Sequence, residues 1–293
     1  MRLQMLNSIH NRILRFHVIV AYAIIFIFCG IPLLSVIIHS FTTNALSSDN
    51  AFVGFSNYVT IMQDEVFWQS VFNSFVLLLY IPLLMFIGLC VAIYLREGFV
   101  LSGLYKGIIV FPEIIASLTV AGIFSCLFGY RGPVNALLEL FKISPLYWLG
   151  NKTSAFVVII LCIIYTSFGW QTMIFSGALT TVPQEISSLI KVDGVRGLKR
   201  IKIYMYEIRK TIYHSFLLNL IYGFSGFFSI IYTLTKGGPG YNTTTIDYLI
   251  YLRAFKYGSD LSSAYTIAAI LFFVVMTLVT ILYNILFGKR AEA

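Results

Sequence analysis

Five stretches of this chain contain no Asp, Glu, Lys or Arg: residues 16–48, 66–95, 153–184, 211–235 and 261–288. Each exceeds the roughly 20 residues that a helix needs to cross about 30 Å of hydrocarbon. A sixth stretch, 107–130, is interrupted only by Glu113. In lipid every backbone N–H and C=O must be satisfied within the structure, so stretches of this length fold as helices. The expected architecture is all-α: one polytopic domain over 1–293, with spans at about 17–40, 70–95, 107–129, 153–179, 211–234 and 262–287.

Composition agrees, since 59% of residues are hydrophobic and 11% charged, against about 45–50% and about 25% for ordinary soluble domains. Six spans put both termini on one side. Fourteen of the 20 Lys and Arg residues lie in the N-terminal segment, the second and fourth connections and the tail. Cytoplasmic segments retain positive charge, so both ends are expected in the cytoplasm. The net charge of +8 follows this orientation pattern and gathers on no polar domain, which argues against a nucleic-acid partner. The first apolar segment exceeds the h-region of a signal peptide and reads as a retained helix. Cys29, Cys90, Cys126 and Cys162 lack metal-ligand or redox spacing and read as packing residues.

The outer connection after the first span carries Phe67, Trp68 and Phe72, aromatics of the kind that gather at a membrane interface. Between 129 and 151, Val134, Leu137, Leu138 and Phe141 recur at helical spacing, predicting a short surface-lying helix. No internal repeat or separate soluble domain is visible.

The segment 181–210 differs from the rest, being basic and amphipathic between two spans. Thr181 and Gln184 have capping-box spacing, Pro183 suits a first helical turn, and Glu185 complements a helix N-terminus. Ile186, Leu189 and Ile190 form an apolar face. Asp193-Gly194 is a turn signal, and from there Leu198, Ile201, Met205, Ile208 and Ile212 predict a second helix. Two short helices anchored at both ends make a rigid protrusion that can transmit motion. The alternative is a basic loop resting on anionic lipid.

Polar residues inside spans face partners or an aqueous route. Asn219, Tyr222, Ser225 and Ser229 share one face of the fifth span, flanked by Gly223, Phe224, Gly226 and Phe227. The fourth span adds Ser167, Gly169, Trp170, Gln171 and Thr172. Aromatic faces and uncharged polar groups suit the weak, releasable binding of a sugar. Helix packing is the competing explanation for each residue. Glu113, beside Pro112, is the one acid within a span and a candidate for either pathway or structure. His214 reads as interfacial.

The sequence FGWQTMIFSGALTTVPQE with Asp193-Gly194, the segment FPEIIASLTVAGIFSCLFGYRGPVNALL, and TKGGPGYNTTTIDYLIYLRAFKYGSDLSSAYTIAAI resemble permease subunits of binding-protein-dependent ABC importers. The likeness covers nearly the whole chain and is similar to the carbohydrate branch: maltose, multiple-sugar and glycerol-3-phosphate types, larger-type permease. It implies a type I importer fold whose coupling helix enters a groove of a separate ATPase. Pro183, Glu185, Ile186, Leu189, Ile190, Asp193 and Gly194 would then be the coupling residues. Gly169, Trp170, Thr172, Asn219, Tyr222, Gly223, Phe224 and Phe227 would line the substrate pathway, and Gly237, Gly238 and Pro239 would belong to an outer gate.

The implied partners are a second, different permease, an ATPase dimer carrying ATP and Mg, an external solute-binding protein and the lipid bilayer of a bacterial cytoplasmic membrane. No catalytic residues, metal or cofactor are expected in this chain, which lacks a G-x-x-x-x-G-K-[ST] loop. Two elements depart from the family: Ser188, Leu189 and Ile190 replace Glu-Ala-Ala, and Tyr206-Glu207 replaces Leu-Pro. Phe224, Gly226 and Phe227 stand where asparagines are expected. The alternatives are a permease for a non-sugar solute and an ion-coupled secondary transporter, which would show an inverted repeat.

Overall fold

The computed structural model describes residue 15 and residues 17–43, 50–98, 102–256 and 260–288. Arg2, Arg12, Asp49, Lys289 and Arg290 lie outside them. Among the described residues the regular structure is helical, apart from one isolated bridge between Thr42 and Phe52. Four helices are long and apolar enough to cross a membrane, and six if each of two bent pairs counts as one span.

The chain divides into two compact units. The first comprises 1–63 and 250–270. Its first helix, α1 (His17–His39), contains a π-helical turn at Phe26–Gly30. The polypeptide then returns to a short helix, α2 (Ser56–Met62). Asn57 holds this return by donating to the carbonyls of Ser40 (2.9 Å) and Thr42 (3.0 Å). Thr266 donates to the same Ser40 carbonyl at 3.2 Å, which ties the start of the last helix into this unit.

The second unit, 64–249 and 271–293, opens with α3 (Glu65–Leu77) and α4 (Tyr80–Arg96), which run on as one long span. Asp64 caps it by accepting from the Val66 N–H at 2.8 Å, and so helix begins before the expected residue 70. Phe67, expected at the interface, is buried at 3% exposure, whereas Trp68 and Phe72 remain outside.

The expected third span is two helices, α5 (Ser102–Ile114) and α6 (Ser117–Leu127), bent by 92°. Pro112 supplies no N–H to the ladder just before the break, and Ala116 adopts an extended conformation. The short helix α7 (Pro133–Leu140) follows. Asn135, 1% exposed, is fully bonded there: it donates to the carbonyls of Tyr130 and Leu146 and accepts from the Leu146 N–H and the Trp148 indole.

The longest helix, α8 (Lys152–Thr180), is capped by Asn151 and packs along α4, with Val158, Ile159, Cys162 and Ile163 fully buried. Cys162 is thus a packing residue, but Cys29 and Cys126 are exposed on their helices. Beyond α8 come α9 (Gln184–Val192) and α10 (Gly197–Glu207). The expected fifth span then divides into α11 (Arg209–Ser225) and α12 (Phe228–Leu234), bent by 46°. A short helix, α13 (Ile246–Tyr251), leads through a π turn to the last helix, α14 (Leu261–Phe287).

Candidate functional site

Both helix breaks meet one cavity of about 460 Å³ in the second unit. Glu113 and Ser117 reach it from either side of the first break, Gly226 and Phe227 from the second. Its most organised wall is a hydrogen-bonded group around Gln171. The Oε1 of Gln171 accepts from Ser215 Oγ and from Asn219 Nδ2, both at 2.9 Å. Asn219 Nδ2 also donates to the Ser215 carbonyl at 2.8 Å, and the Tyr80 hydroxyl donates to the Asn219 carbonyl at 2.7 Å. Two donors on Oε1 orient the amide, and Gln171 Nε2, on a side chain 1% exposed, is left with no hydrogen-bond partner.

Four of the eight expected pathway residues line this cavity: Trp170, Asn219, Tyr222 and Phe227. Trp170 and Tyr222 are 61% and 65% exposed, so their rings stand open to an occupant. The other four serve packing. Gly169 lies against the α5 backbone at Ile109, and Gly223 against Leu78. Thr172 is fully buried and donates to the Phe168 carbonyl at 2.7 Å. Phe224 meets the ring of Phe75 edge to face, centroids 5.2 Å apart. Tyr80, Glu113, Ser117, Thr166, Ser167, Gln171 and Ser215 add polar groups to the wall. Glu113 and Gln171 had a visible signal, as a charge and an amide inside apolar stretches. Tyr80 and Ser215 had none.

The segment 235–245 is a fixed structure rather than a loose turn. Thr243 and Thr244 are fully buried. Thr243 Oγ1 bonds the Thr235 hydroxyl at 2.7 Å and the Gly238 carbonyl at 2.9 Å. Thr244 donates to the Gly237 carbonyl at 3.2 Å. Asn73 on α3 donates to the carbonyls of Tyr241 (3.1 Å) and Thr244 (2.9 Å). Gly237 takes φ +78° and lies against Thr244 and Tyr248, where a Cβ would collide. Gly238 and Pro239 are joined by a cis peptide bond.

Beyond this segment the Asp247 carboxylate accepts from the Thr245 hydroxyl and the Tyr248 N–H. The amides of Phe227 and Phe228, at the start of α12, also favour its charged form, although Oδ2 stands outside ordinary hydrogen-bond geometry. Burial outweighs these groups and pushes its pKa above the usual carboxylate value.

At the other end, α9 and α10 are seated on the transmembrane helices. Ile190, Tyr204 and Ile208 join Leu89, Ala92 and Ile93 of α4 and Phe175 and Leu179 of α8 in one apolar cluster, with Ile186 packed against it. Ile190 (6% exposed) therefore faces the chain's own core, while Leu189 (59%) and Val192 (84%) face outward. The expected apolar face is divided because residues four apart, 186 and 190, share one side of a helix while 189 and 192 share another. Similarly, Tyr204 takes the inward position expected for Met205, which is exposed.

Pro183 is the N-cap of α9 without a side-chain cap bond, and Thr181 instead donates to the Ala178 carbonyl at 2.8 Å as part of the end of α8. Glu185, Asp193 and Gly194 are exposed, the last at φ +64°. Arg96 at the end of α4 donates to the Val182 carbonyl (3.0 Å) and Ser187 Oγ (2.8 Å). Arg200 pairs with Glu97, and both guanidinium groups approach the Tyr204 ring, at 5.6 Å for Arg96 and 5.9 Å for Arg200. Sequence reasoning missed these clamps, whose partners lie far apart along the chain.

Residues 84–292 match the sequence profile of the family described as binding-protein-dependent transport system inner membrane component. The chain is 29% identical over 244 residues to the trehalose/maltose transport system permease protein MalF of Thermococcus litoralis, covering 80% of this chain and 79% of the relative. It is 28% identical over 252 residues to the sn-glycerol-3-phosphate transport system permease protein UgpA of Yersinia pestis, covering 83% of each. Its fold resembles a chain in the crystal structure of a bacterial ABC transporter involved in importing the acidic polysaccharide alginate. That alignment has a TM-score of 0.81 at 20% identity, covering 97% of this chain and 98% of the other. A second structure of a bacterial alginate transporter, in complex with an alginate pentasaccharide-bound periplasmic protein, aligns with a TM-score of 0.79 at 19% identity, covering 98% and 97%.

Proposed function

Because this chain belongs to the family of binding-protein-dependent transport system inner membrane components, we propose that it forms half of the translocation pathway of an ATP-driven carbohydrate importer. ATP is bound and hydrolysed, with Mg, by separate ATPase subunits. A second permease closes the exposed side of the cavity, where Trp170 and Tyr222 stand open, and an external binding protein delivers the solute. The named solutes of the relatives, trehalose/maltose and sn-glycerol-3-phosphate, support a polyhydroxylated cargo.

The observation that carries the reading is the continuity of α8. Trp170 and Gln171 line the cavity, Phe175 and Leu179 seat the α9–α10 pair, and Ile174 belongs to both sets. Displacement of the pair by an ATPase is thereby delivered to the cavity wall through one helix. The docking surface comprises the exposed Leu189, Val192, Asp193 and Gly194 with Pro183 and Glu185 at the head of α9; Ile186 and Ile190 position it from inside.

Cysteines at Leu189 and Val192 are therefore expected to crosslink to the ATPase in the assembled importer, while one at Ile190 is not. The same complex in proteoliposomes is expected to accumulate a saccharide only with ATP inside and binding protein outside. Uptake without the ATPase would favour an ion-coupled carrier instead.

A further inference from the structure

We propose that the cavity selects against negative charge, so that its solute is an uncharged hydroxyl-rich saccharide held by Glu113. This rests on the carbohydrate-importer reading and narrows it, because the proteins similar to this chain include importers of solutes named as anionic, glycerol-3-phosphate and alginate. Glu113 is the one charged side chain lining the cavity among the described residues, and no Lys, Arg or His joins it.

An ionised carboxylate only accepts hydrogen bonds. It can take the hydroxyl protons of a neutral sugar, but it opposes a phosphate, sulfonate or uronate with no donor between them. At an effective dielectric constant of about 20, like charges a few ångströms apart repel strongly enough to disfavour a monoanion by about tenfold or more.

Gln171 braces the wall from behind. Ser215 and Asn219 occupy its Oε1 and so commit Nε2 to donation, yet that nitrogen has no partner within the protein. That nitrogen is shut off from the cavity surface, so the group holds the shape of the wall and leaves solute contact to the exposed side chains. Trp170 and Tyr222 offer faces for the CH surfaces of a pyranose. The wall thus provides an acceptor and aromatic surface, and no cationic side chain among the described residues.

The test uses the complete importer in proteoliposomes and measures ATP-driven uptake of matched pairs: trehalose with trehalose 6-phosphate, and a neutral oligosaccharide with its uronate. The wild type is expected to prefer the neutral member by at least about tenfold. Glu113→Gln should narrow that ratio by about threefold or more and Glu113→Lys further, whereas Ser117→Asp, adding a carboxylate to the same wall, should widen it.

The binding protein is identical in all arms, so a change in ratio reports the permease. Equal or better uptake of the anion by the wild type, or ratios that do not move across the three variants, would overturn the assignment. Uptake of neither member of any pair, in an importer that still carries another solute class, would overturn the carbohydrate reading itself and this inference with it.

Discussion

A methyl group on Gly169 would strike the Ile109 carbonyl oxygen, whereas one on Gly177, two turns further along α8, would meet nothing within 4 Å. The two positions therefore answer oppositely to the same change. Gly169→Ala must push α5 away from α8 and is expected to cost about 1–3 kcal/mol. Gly177→Ala only gains helix propensity, at most about 1 kcal/mol. Thermal melts of the purified variants in detergent should place Gly169→Ala below the wild type and Gly177→Ala at or above it. From sequence, both glycines sit in an apolar stretch and Gly169 is as readily read as a pathway residue. The contact that decides lies with Ile109, on a helix separated from it by more than fifty residues. Asn135 is similar: its four hydrogen bonds go to the loop flanking α7, and no periodicity announces them. Glu113 and Gln171 were visible as anomalies of polarity, but that they share one wall follows only from the fold.

At the level of elements, charge-free length was a sound guide to long helices. α8 and α14 run for 29 and 27 residues. The breaks in the third and fifth spans were hidden because hydropathy is blind to backbone direction: both halves of each pair are apolar, and only Glu113, beside the first bend, interrupts them. Pro112 was a cue for the first. For the second, Gly226 in the helical frame and an acid beyond the span were available, but the pairing of Asp247 with the start of α12 requires the segment 235–245 to fold back. The burial-raised pKa of Asp247 has a consequence. An acid that keeps its proton longer in the folded than in the unfolded state destabilises the fold once ionised. Stability is therefore fully present below the ordinary carboxylate range, near pH 4, is lost as pH rises through the raised folded value, and is constant above it. The melting temperature of the purified chain is expected to fall across that window, and Asp247→Asn should flatten the fall by removing the titrating group. An unchanged slope in the variant would assign the pH dependence to other acids.

For the whole molecule, the distribution of Lys and Arg argues for an orientation in which the basic α9–α10 pair lies in the cytoplasm, and the packing sharpens what that orientation must expose. If the pair rested on anionic lipid, its apolar side chains would point together toward the bilayer. Instead Ile186, Ile190, Tyr204 and Ile208 are used internally to hold the pair on α4 and α8, and on α9 Leu189 and Val192 are outward apolar groups beside Lys191 and Asp193, with Leu198, Met205 and Tyr206 exposed on α10. An apolar pair among charges at the tip of a braced helix suits a protein groove better than a headgroup layer. A cysteine at Val192, in a chain whose exposed Cys29 and Cys126 and half-buried Cys90 are replaced by Ala so that only the buried Cys162 remains, distinguishes these arrangements. A membrane-impermeant maleimide is expected to label it in inside-out vesicles and not in right-side-out ones. Labelling should be fast in vesicles stripped of the ATPase and slow once the ATPase is restored. Labelling only from outside would reverse the orientation, and slow labelling in stripped vesicles that speeds up when anionic lipid is depleted would favour the lipid-resting arrangement. The sidedness and the protection thus test two independent steps, the charge rule that orients the chain and the division of one amphipathic helix between its own core and a partner.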